Sequence, residues 1–505
     1  MIKNFTVSVE NLRAAANVCY SKSKHGLLAM FANDERQLNG KFAIYCLFDG
    51  RNPKKMLMIK ATIDQKSAME YPSLTPIIPA AAWFEREIHD LFGLTAVDNA
   101  DLRPLLLHEN WPADVYPLRK DFDVSTIVPE AINKKIPMAH AHGEGLFEVP
   151  VGPIHAGIIE PGHFRFTQAG EATLLLDAKL GFTHRGIEKT VEGLSLNKAF
   201  FQVERICGGC TVSHALAFCQ AIETMAGVDI SERAKAIRIV IAELERLYNH
   251  VGDAGNLCAG LGFAVGTSNG ARLKEYLMRL NDAVAGNRFL RGMVIPGGVH
   301  YDLTPELIAE IKATLDKVVV DFEQMTGLLD ENDQFLDRVN TTGLLPYQAA
   351  KELGVVGVAA RASGVDYDLR RDKPYSGYDR VKFKVPVQRT GDVAARLLVR
   401  LEETFESISI IRQVLENIPT TEPKLAVPIP LIKPYMTGVG WSESARGGNI
   451  HWLMVGENNT IYRYFVRSAS YANWPALPIA VPGNIIPDFP LINKSFELCY
   501  ACLDR

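Results

Sequence analysis

Two stretches of the chain decide how it is interpreted: Glu204-Arg-Ile-Cys207-Gly-Gly-Cys210-Thr-Val-Ser-His214 in the middle and Phe496-Glu-Leu-Cys499-Tyr-Ala-Cys502-Leu-Asp-Arg505 at the end. Each holds a C-x-x-C pair, and thiolates are soft ligands that suit zinc, iron-sulfur clusters, nickel or copper(I). By residue type alone a structural zinc site leads, followed by a cubane cluster and by two unrelated redox or structural pairs. The pairs lie 288 residues apart, whereas those of a zinc ribbon usually lie ~15–20 residues apart. The spacing argues against a zinc ribbon and does not distinguish the remaining kinds of site.

Long helical patterns surround these pairs. Apolar residues recur at three- and four-residue steps from Ile237 to Val251, from Leu307 to Val318 and from Leu397 to Leu415, which predicts one buried helix face in each case. Ile461 to Val466 is expected to add a strand. We therefore predict that residues 151–505 form a mostly α multi-helix bundle.

The beginning of the chain has a different pattern. Residues 42–48 and 56–59 are apolar runs of strand length separated by turn-forming residues, and Ala80 to Phe92 predicts a helix with a charged cluster. Residues 1–125 are expected to form a small α+β domain. Residues 126–150 contain scattered Pro, Gly and His with weak periodicity, which suits an interdomain linker.

The composition limits the classes of function. Of 505 residues, 47% are hydrophobic and 22% charged, the balance of a globular protein with ample material for a core. The net charge of −4 gives no electrostatic reason to expect nucleic-acid binding. No apolar run reaches about 18 residues, and Met1 to Ala16 lacks the features of a secretory signal. We expect a cytoplasmic protein that contacts a membrane through partner subunits.

The residues that flank the cysteines resemble the two metal-binding motifs of nickel-iron hydrogenase large subunits. The first is usually an Arg, then C-G-x-C, then a His four residues on, and a closing Arg is the form seen in the complex I-related, energy-converting class. Similarity to that class and to the complex I quinone-site subunit extends over almost the whole chain, at residues 152–155, 160–164, 184–189, 443–447 and 451–452. Residues 462–463 and 471–475 resemble the formate hydrogenlyase large subunit in particular. Residues 85–93, 101–103 and 117–120 resemble the complex I peripheral-arm subunit that is fused to it, in a structural docking role.

The resemblance implies a nickel-iron centre held by four thiolates. Cys207 and Cys499 would be terminal ligands of nickel, while Cys210 and Cys502 would bridge nickel to an iron that carries carbon monoxide and two cyanides. The implied reaction is heterolytic cleavage of dihydrogen, or reduction of protons to dihydrogen. The sulfur of Cys499 would accept the first proton and Glu160 the next. Without the resemblance, Glu160 is simply a surface or N-cap glutamate.

Three further residues gain roles from the same resemblance. Arg446 would place a fixed positive charge beside the iron, although alone it could be a loop arginine in an ion pair. His214 would donate a hydrogen bond to a bridging sulfur, although alone it is a core histidine. Glu497 stands where relatives usually have Asp, so it keeps the charge near the centre and lengthens its reach. None of the departures from the family pattern removes a metal ligand.

The partners follow from the same resemblance. Electrons would leave through a small subunit that carries a [4Fe-4S] cluster, because this chain itself would bind no cluster. The class adds ferredoxin-like subunits, antiporter-like membrane subunits, maturation proteins and often formate dehydrogenase. Relatives also carry an extension that is removed after nickel insertion, so Arg505 would be either a processed or an encoded end. The alternative function is a quinone-binding electron-transfer subunit of complex I type without nickel.

Overall fold

The fold is described from a computed structural model, for residues 2–52, 55–131, 136–139, 141–155, 159–420 and 424–505. The first elements in chain order are β1 (Ile2–Ser8), α1 (Leu12–Lys22), β2 (Leu27–Glu35), α2 (Arg36–Asn39), β3 (Lys41–Asp49), β4 (Met56–Asp64), β5 (Glu70–Pro72), α3 (Ala82–Phe92), β6 (Thr95–Val97), β7 (Leu146–Val151), β8 (His163–Ala169), β9 (Ala172–Lys179), α4 (Ile187–Thr190), α5 (Leu196–Val203) and α6 (Thr211–Ala226). They are followed by α7 (Glu232–Ala259), α8 (Ala264–Ala285), β10 (Val294–Ile295), β11 (Gly298–Val299), α9 (Pro305–Asp330), α10 (Asp333–Val339), α11 (Tyr347–Glu352), α12 (Gly357–Ala362), α13 (Leu369–Asp372), α14 (Val393–Glu416), β12 (Thr437–Ser444), β13 (Gly447–Val455), β14 (Ile461–Arg467), α15 (Ala469–Asn473), α16 (Leu477–Ala480), α17 (Phe489–Phe496) and α18 (Tyr500–Asp504).

The chain divides into two compact units. The smaller unit contains Met1–Glu192, Lys351–Val355 and Tyr500–Arg505, and the larger unit contains Gly193–Ala350 and Val356–Cys499.

The smaller unit contains two main sheets. The first has the strand order β1-β4-β3-β2, with β1 parallel to β4 and the other pairs antiparallel. Strands β3 and β4 and helix α3 confirm the predicted strands at 42–48 and 56–59 and the predicted helix at 80–92, so the α+β start of the chain is confirmed. The second sheet is the antiparallel β7-β8-β9, which the sequence pattern did not predict.

The larger unit is mostly helical, as predicted. Helices α7, α9 and α14 contain the three predicted apolar stripes, and α7 packs against α8 and α14. The antiparallel sheet β12-β13-β14, which includes the predicted strand at 461–466, packs against α6. In the part of the chain that the structure describes, no helix is long and apolar enough to cross a membrane.

The compact units divide the chain at other places than the predicted domain boundaries at residues 125 and 150, which stay predictions. Strand β7 begins within the stretch interpreted as a linker, and residues up to Glu192 belong to the smaller unit. The linker was predicted from its turn-forming residues. Strand β7 accommodates such residues because several of its side chains are exposed. Residues 132–135 and 140 of the predicted linker lie outside the described residues.

Candidate metal site

The first cysteine pair lies where the chain turns into α6. Cys207 and Cys210 are 5% and 4% exposed, and Cys210 immediately precedes the helix. The backbone N–H of Gly209 donates a hydrogen bond to Cys207 Sγ at 3.3 Å. Backbone N–H groups and a helix N-terminus both favour negative charge, so this turn suits a thiolate.

Cys499 comes from the end of the larger unit, yet its sulfur lies beside that of Cys207. The two Sγ atoms are within 4.8 Å of one another. The Cys499 backbone is fixed from two sides, because its N–H donates to Ser470 Oγ at 3.0 Å and its carbonyl accepts from Trp474 Nε1 at 3.5 Å. The larger unit therefore brings together one cysteine of each predicted pair.

Cys502 is part of α18 in the smaller unit and is 1% exposed. In the same unit, the Glu160 carboxylate accepts a hydrogen bond from the backbone N–H of Ala501 at 2.9 Å. Glu160 is partly buried and satisfies a donor in the first turn of the helix that contains Cys502. Glu160 precedes strand β8 and is not itself an N-cap residue, and its proton-transfer role stays a prediction.

Arg446 occupies the turn between β12 and β13, and its guanidinium is held by four oxygen atoms of three residues. Its guanidinium contacts both Asp253 carboxylate oxygens at 2.9 Å, Asn249 Oδ1 at 3.0 Å and the Glu497 carbonyl at 3.0 Å. Burial opposes the charge, but the carboxylates of Asp253 and Glu497 outweigh it and raise the pKa of Arg446 above its usual value. The turn is also close-packed, because a Cβ on Gly357 would lie 2.2 Å from the Arg446 carbonyl oxygen. Arg446 is thus a fixed cation.

Glu497 takes part through its backbone as well as its side chain. It follows α17 in a left-handed conformation, with φ of 51°, which turns its carbonyl toward the arginine. Its carboxylate accepts from Asn256 Nδ2 at 2.6 Å and lies 3.7 Å from the Arg446 guanidinium. Burial and the nearby Asp253 raise the pKa of Glu497.

His214 begins a buried hydrogen-bonded series of rings. Its Nδ1 lies 2.8 Å from His451 Nε2, and His451 Nδ1 lies 2.8 Å from the Tyr464 hydroxyl. All three side chains are fully buried, and a ring nitrogen of His214 lies within 4.8 Å of Cys210 Sγ. Burial and then His214 hold the pKa of His451 well below its usual value, so His451 is neutral at pH 7.

Sequence reasoning missed a polar stripe on α7, formed by Glu245, Asn249 and Asp253. Glu245 accepts from the backbone N–H groups of Val212 and Ser213 at 2.6 and 3.0 Å, at the start of α6. Asn249 donates to the Gly209 carbonyl at 2.6 Å, and its own oxygen accepts from Arg446. Four-residue spacing puts the three on one helix face. The four-residue spacing is visible in the sequence and could have identified the stripe.

Comparisons with known families match three parts of the chain. Residues 5–128 match the family "Respiratory-chain NADH dehydrogenase, 30 Kd subunit", residues 185–259 match "Nickel-dependent hydrogenase", and residues 261–505 match "Respiratory-chain NADH dehydrogenase, 49 Kd subunit". The fusion of a peripheral-arm-like region to a hydrogenase-like region, predicted from sequence, is confirmed.

Individual proteins support the same assignment. Hydrogenase-4 component G of Escherichia coli (strain K12) is 34% identical over 99% of this chain and 87% of its own length. Formate hydrogenlyase subunit 5 of the same organism is 34% identical over 99% of this chain and 88% of its own length. A chain of the membrane-bound sulfane sulfur reductase, an archaeal respiratory membrane complex, superposes with a TM-score of 0.68 at 26% identity and covers 72% of this chain and 100% of its own. The chain therefore belongs to the complex I-related family of hydrogenase large subunits, which are oxidoreductases.

Proposed function

We propose that the chain is the catalytic subunit of a [NiFe] hydrogenase in which Cys207, Cys210, Cys499 and Cys502 hold a nickel-iron centre. The observation that carries the proposal is the approach of Cys207 Sγ to Cys499 Sγ within 4.8 Å. Two thiolates on one metal ion, each with a bond of about 2.3 Å, stand about 4 Å apart. The donors fit a soft transition metal.

The roles of the four thiols are those that the resemblance to the family's two C-x-x-C motifs implies. Cys210 precedes α6, three residues after Cys207, and Cys502 follows Cys499 by three residues. Cys207 and Cys499 would hold nickel as terminal ligands, and Cys210 and Cys502 would also hold an iron that carries carbon monoxide and cyanide. When bound, the centre would supply heterolytic cleavage of dihydrogen and its reverse.

Arg446 stabilises charge that develops during this reaction. Its contacts with Asp253, Asn249 and the Glu497 carbonyl hold the guanidinium in place before the reaction begins. A fixed charge needs no reorganisation as the reaction proceeds, which is the main advantage of preorganised electrostatic groups. Glu497 contributes by fixing this arginine.

Proton transfer would use two groups, Cys499 and Glu160. With the centre bound, Cys499 Sγ would accept the proton that cleavage releases, and the Glu160 carboxylate would accept it next. Supporting this order, Glu160 binds the N–H of Ala501, two residues after Cys499. Protonation of Glu160 is compatible with that hydrogen bond, because a carboxylic acid keeps a carbonyl oxygen that accepts.

His214 tunes a bridging sulfur through a fixed tautomer. If the Tyr464 hydroxyl donates to His451 Nδ1, then His451 Nε2–H donates to His214 Nδ1, and His214 Nε2–H becomes a donor. The opposite order would turn the His214 Nε2 lone pair toward a thiolate, which is repulsive. We therefore assign His214 as a donor to the sulfur of Cys210, a contact that orients the ligand and tunes the metal.

The assembly proposed for the chain follows the relatives. Hydrogenase-4, formate hydrogenlyase and the archaeal respiratory complex are multisubunit systems by name. We propose that this chain is cytoplasmic and attached peripherally to the membrane by antiporter-like subunits. Electrons would pass through a [4Fe-4S] small subunit and ferredoxin-like subunits, with formate dehydrogenase as a candidate donor and maturation proteins building the centre.

Infrared spectroscopy and metal analysis of the purified complex test the function directly. We expect nickel together with bands of iron-bound carbon monoxide and cyanide. Cys499→Ser should abolish both hydrogen turnover and nickel binding, because it removes a ligand. The matched control, Cys219→Ser, changes another buried cysteine, on α6, and should keep the bands.

Other results would favour the competing functions. Zinc in place of nickel, with no hydrogen-dependent dye reduction, would indicate a structural four-thiolate site. Absence of both metals, with quinone-dependent electron transfer in the assembled complex, would indicate a complex I-type electron-transfer subunit. Either result from fully matured protein contradicts the proposal.

A further inference from the structure

The C-terminal segment, residues 500–505, is held within the smaller unit by contacts at both of its ends. Glu160 binds the N–H of Ala501. At the other end, the Asp504 carboxylate accepts from the Gly181 N–H at 2.9 Å and from the N–H and hydroxyl of Thr183 at 2.8 and 2.6 Å. These contacts explain how so short a segment keeps a defined position.

Arg505 adds a contact of another kind. Its guanidinium lies between two carboxylates, 2.5 Å from Glu87 and 2.7 Å from Glu188, and its side chain is 2% exposed. The carboxylates are 7% and 6% exposed. A planar guanidinium can serve two carboxylates at once, which a lysine ammonium does with much less geometric definition.

The three residues of this clamp, Glu87, Arg505 and Glu188, come from distant parts of the chain. Glu87 is on α3 in the N-terminal α+β region, Glu188 is on α4, and Arg505 follows α18. Each lies in a different one of the three family matches. The docking-like N-terminal region, which had no chemical role, therefore contributes a buried charge that binds the segment carrying Cys502.

We propose that Arg505 is a positioning residue for Cys502, and that the clamp with Glu87 and Glu188 fixes the helix on which this thiol lies. The N-terminal region would thereby help to define the metal site although it provides no ligand. Because Cys502 matters only as a metal ligand, this inference rests on the proposed function. Its primary test does not depend on bound metal.

Hydrogen–deuterium exchange of backbone amides in the purified complex provides that test. Glu87→Gln keeps the shape of the side chain and removes its charge, so the ion pair with Arg505 is replaced by a weaker hydrogen bond from the guanidinium to a neutral oxygen. We expect amides of residues 500–505 to exchange roughly tenfold faster. Arg505→Lys should have a similar effect, because one ammonium cannot reproduce both contacts of the guanidinium.

A matched control is available on the same helix. Glu85 is also buried on α3, but its carboxylate accepts from Ser73 Oγ and from the Leu74 N–H, within the N-terminal region. Glu85→Gln should therefore leave exchange at 500–505 unchanged. Equal acceleration in the Glu85 and Glu87 variants would show general loosening and overturn the clamp, as would unchanged exchange in Glu87→Gln and Arg505→Lys.

Metal readouts test the link to Cys502. We expect Glu87→Gln to lower nickel content and to shift the infrared bands of the fraction that still holds the centre, which a purely structural loss of yield would not do. Faster exchange with unchanged nickel and unchanged bands would overturn the positioning role. If the parent complex lacks nickel, the proposed function fails, and the exchange data alone still decide whether the clamp exists.

Discussion

Replacing Asp253 by Asn should weaken catalysis without removing a metal ligand. The Asp253 carboxylate forms two contacts of 2.9 Å with the Arg446 guanidinium, and the side chains are 8% and 14% exposed. Asparagine keeps one oxygen acceptor, but it loses the charge and turns an amide N–H group toward the cation. The guanidinium of Arg446 is then held less firmly in its position.

The magnitude follows from these two contacts. Because the guanidinium keeps its charge, any bond to the asparagine oxygen is still a hydrogen bond to a charged group, and the change is mainly the loss of one such contact, worth about 1.5–3 kcal/mol. Asn249 and the Glu497 carbonyl still bind the guanidinium, which favours the lower figure. If the transition state depends on this charge, about 2 kcal/mol corresponds to a roughly 30-fold slower reaction.

The assay is exchange between D2 and water protons, measured per bound nickel in the purified complex. Normalising to nickel separates a misplaced arginine from a lost metal. The control is Asp282→Asn on the neighbouring helix α8, where the carboxylate is exposed, and it should leave the rate unchanged. A loss of less than about threefold in Asp253→Asn at full nickel content would refute the role assigned to the Asp253–Arg446 pair.

Three further expectations concern other residues. Burial lowers the pKa of His250 to about 4 despite its hydrogen bond to Glu403. As the pH falls, His250 of the unfolded chain, with a pKa near 6.5, binds a proton before that of the folded chain, so the free energy of unfolding should fall by about 3 kcal/mol between pH 6.5 and pH 4. Urea titrations should show a smaller fall over this pH range in His250→Gln than in the parent protein. Tyr464→Phe should slow turnover about fivefold and retain nickel, whereas the control Tyr462→Phe should leave turnover unchanged. Equal rates for the two variants would contradict the tautomer assignment. Glu160→Gln keeps an acceptor for the Ala501 N–H, so it should retain nickel while slowing proton exchange at least tenfold, and undiminished exchange would exclude the relay role.

The sequence was most informative where a regular pattern or an unusual motif was present. Stripes such as Ile237 to Val251 predicted α7 because burial of one helix face imposes a period near 3.6. The cysteine pairs predicted a metal site because thiols at that spacing are uncommon away from metals and disulfides. In these cases the nearby residues of the sequence are enough to predict the element or the kind of site.

Residues whose role depends on a distant partner could not be predicted. Asp253 and Asn249 look like ordinary polar positions of a long helix until the fold brings Arg446 to them. Glu87 likewise belonged to a segment with only a predicted docking role, but it is buried against Arg505. The partners of buried polar groups are set by tertiary contacts, which periodicity and propensity do not describe.

The stripe of Glu245, Asn249 and Asp253 makes α7 a rigid template with a fixed pitch. Each residue of a helix advances about 1.5 Å and turns about 100°, so a single insertion between Glu245 and Asp253 would turn one end of the stripe away from its partners. Insertions and deletions should therefore be tolerated in the loops around this helix and not within its central turns. Transplanting the site to another helical scaffold would require all of this segment in its native register.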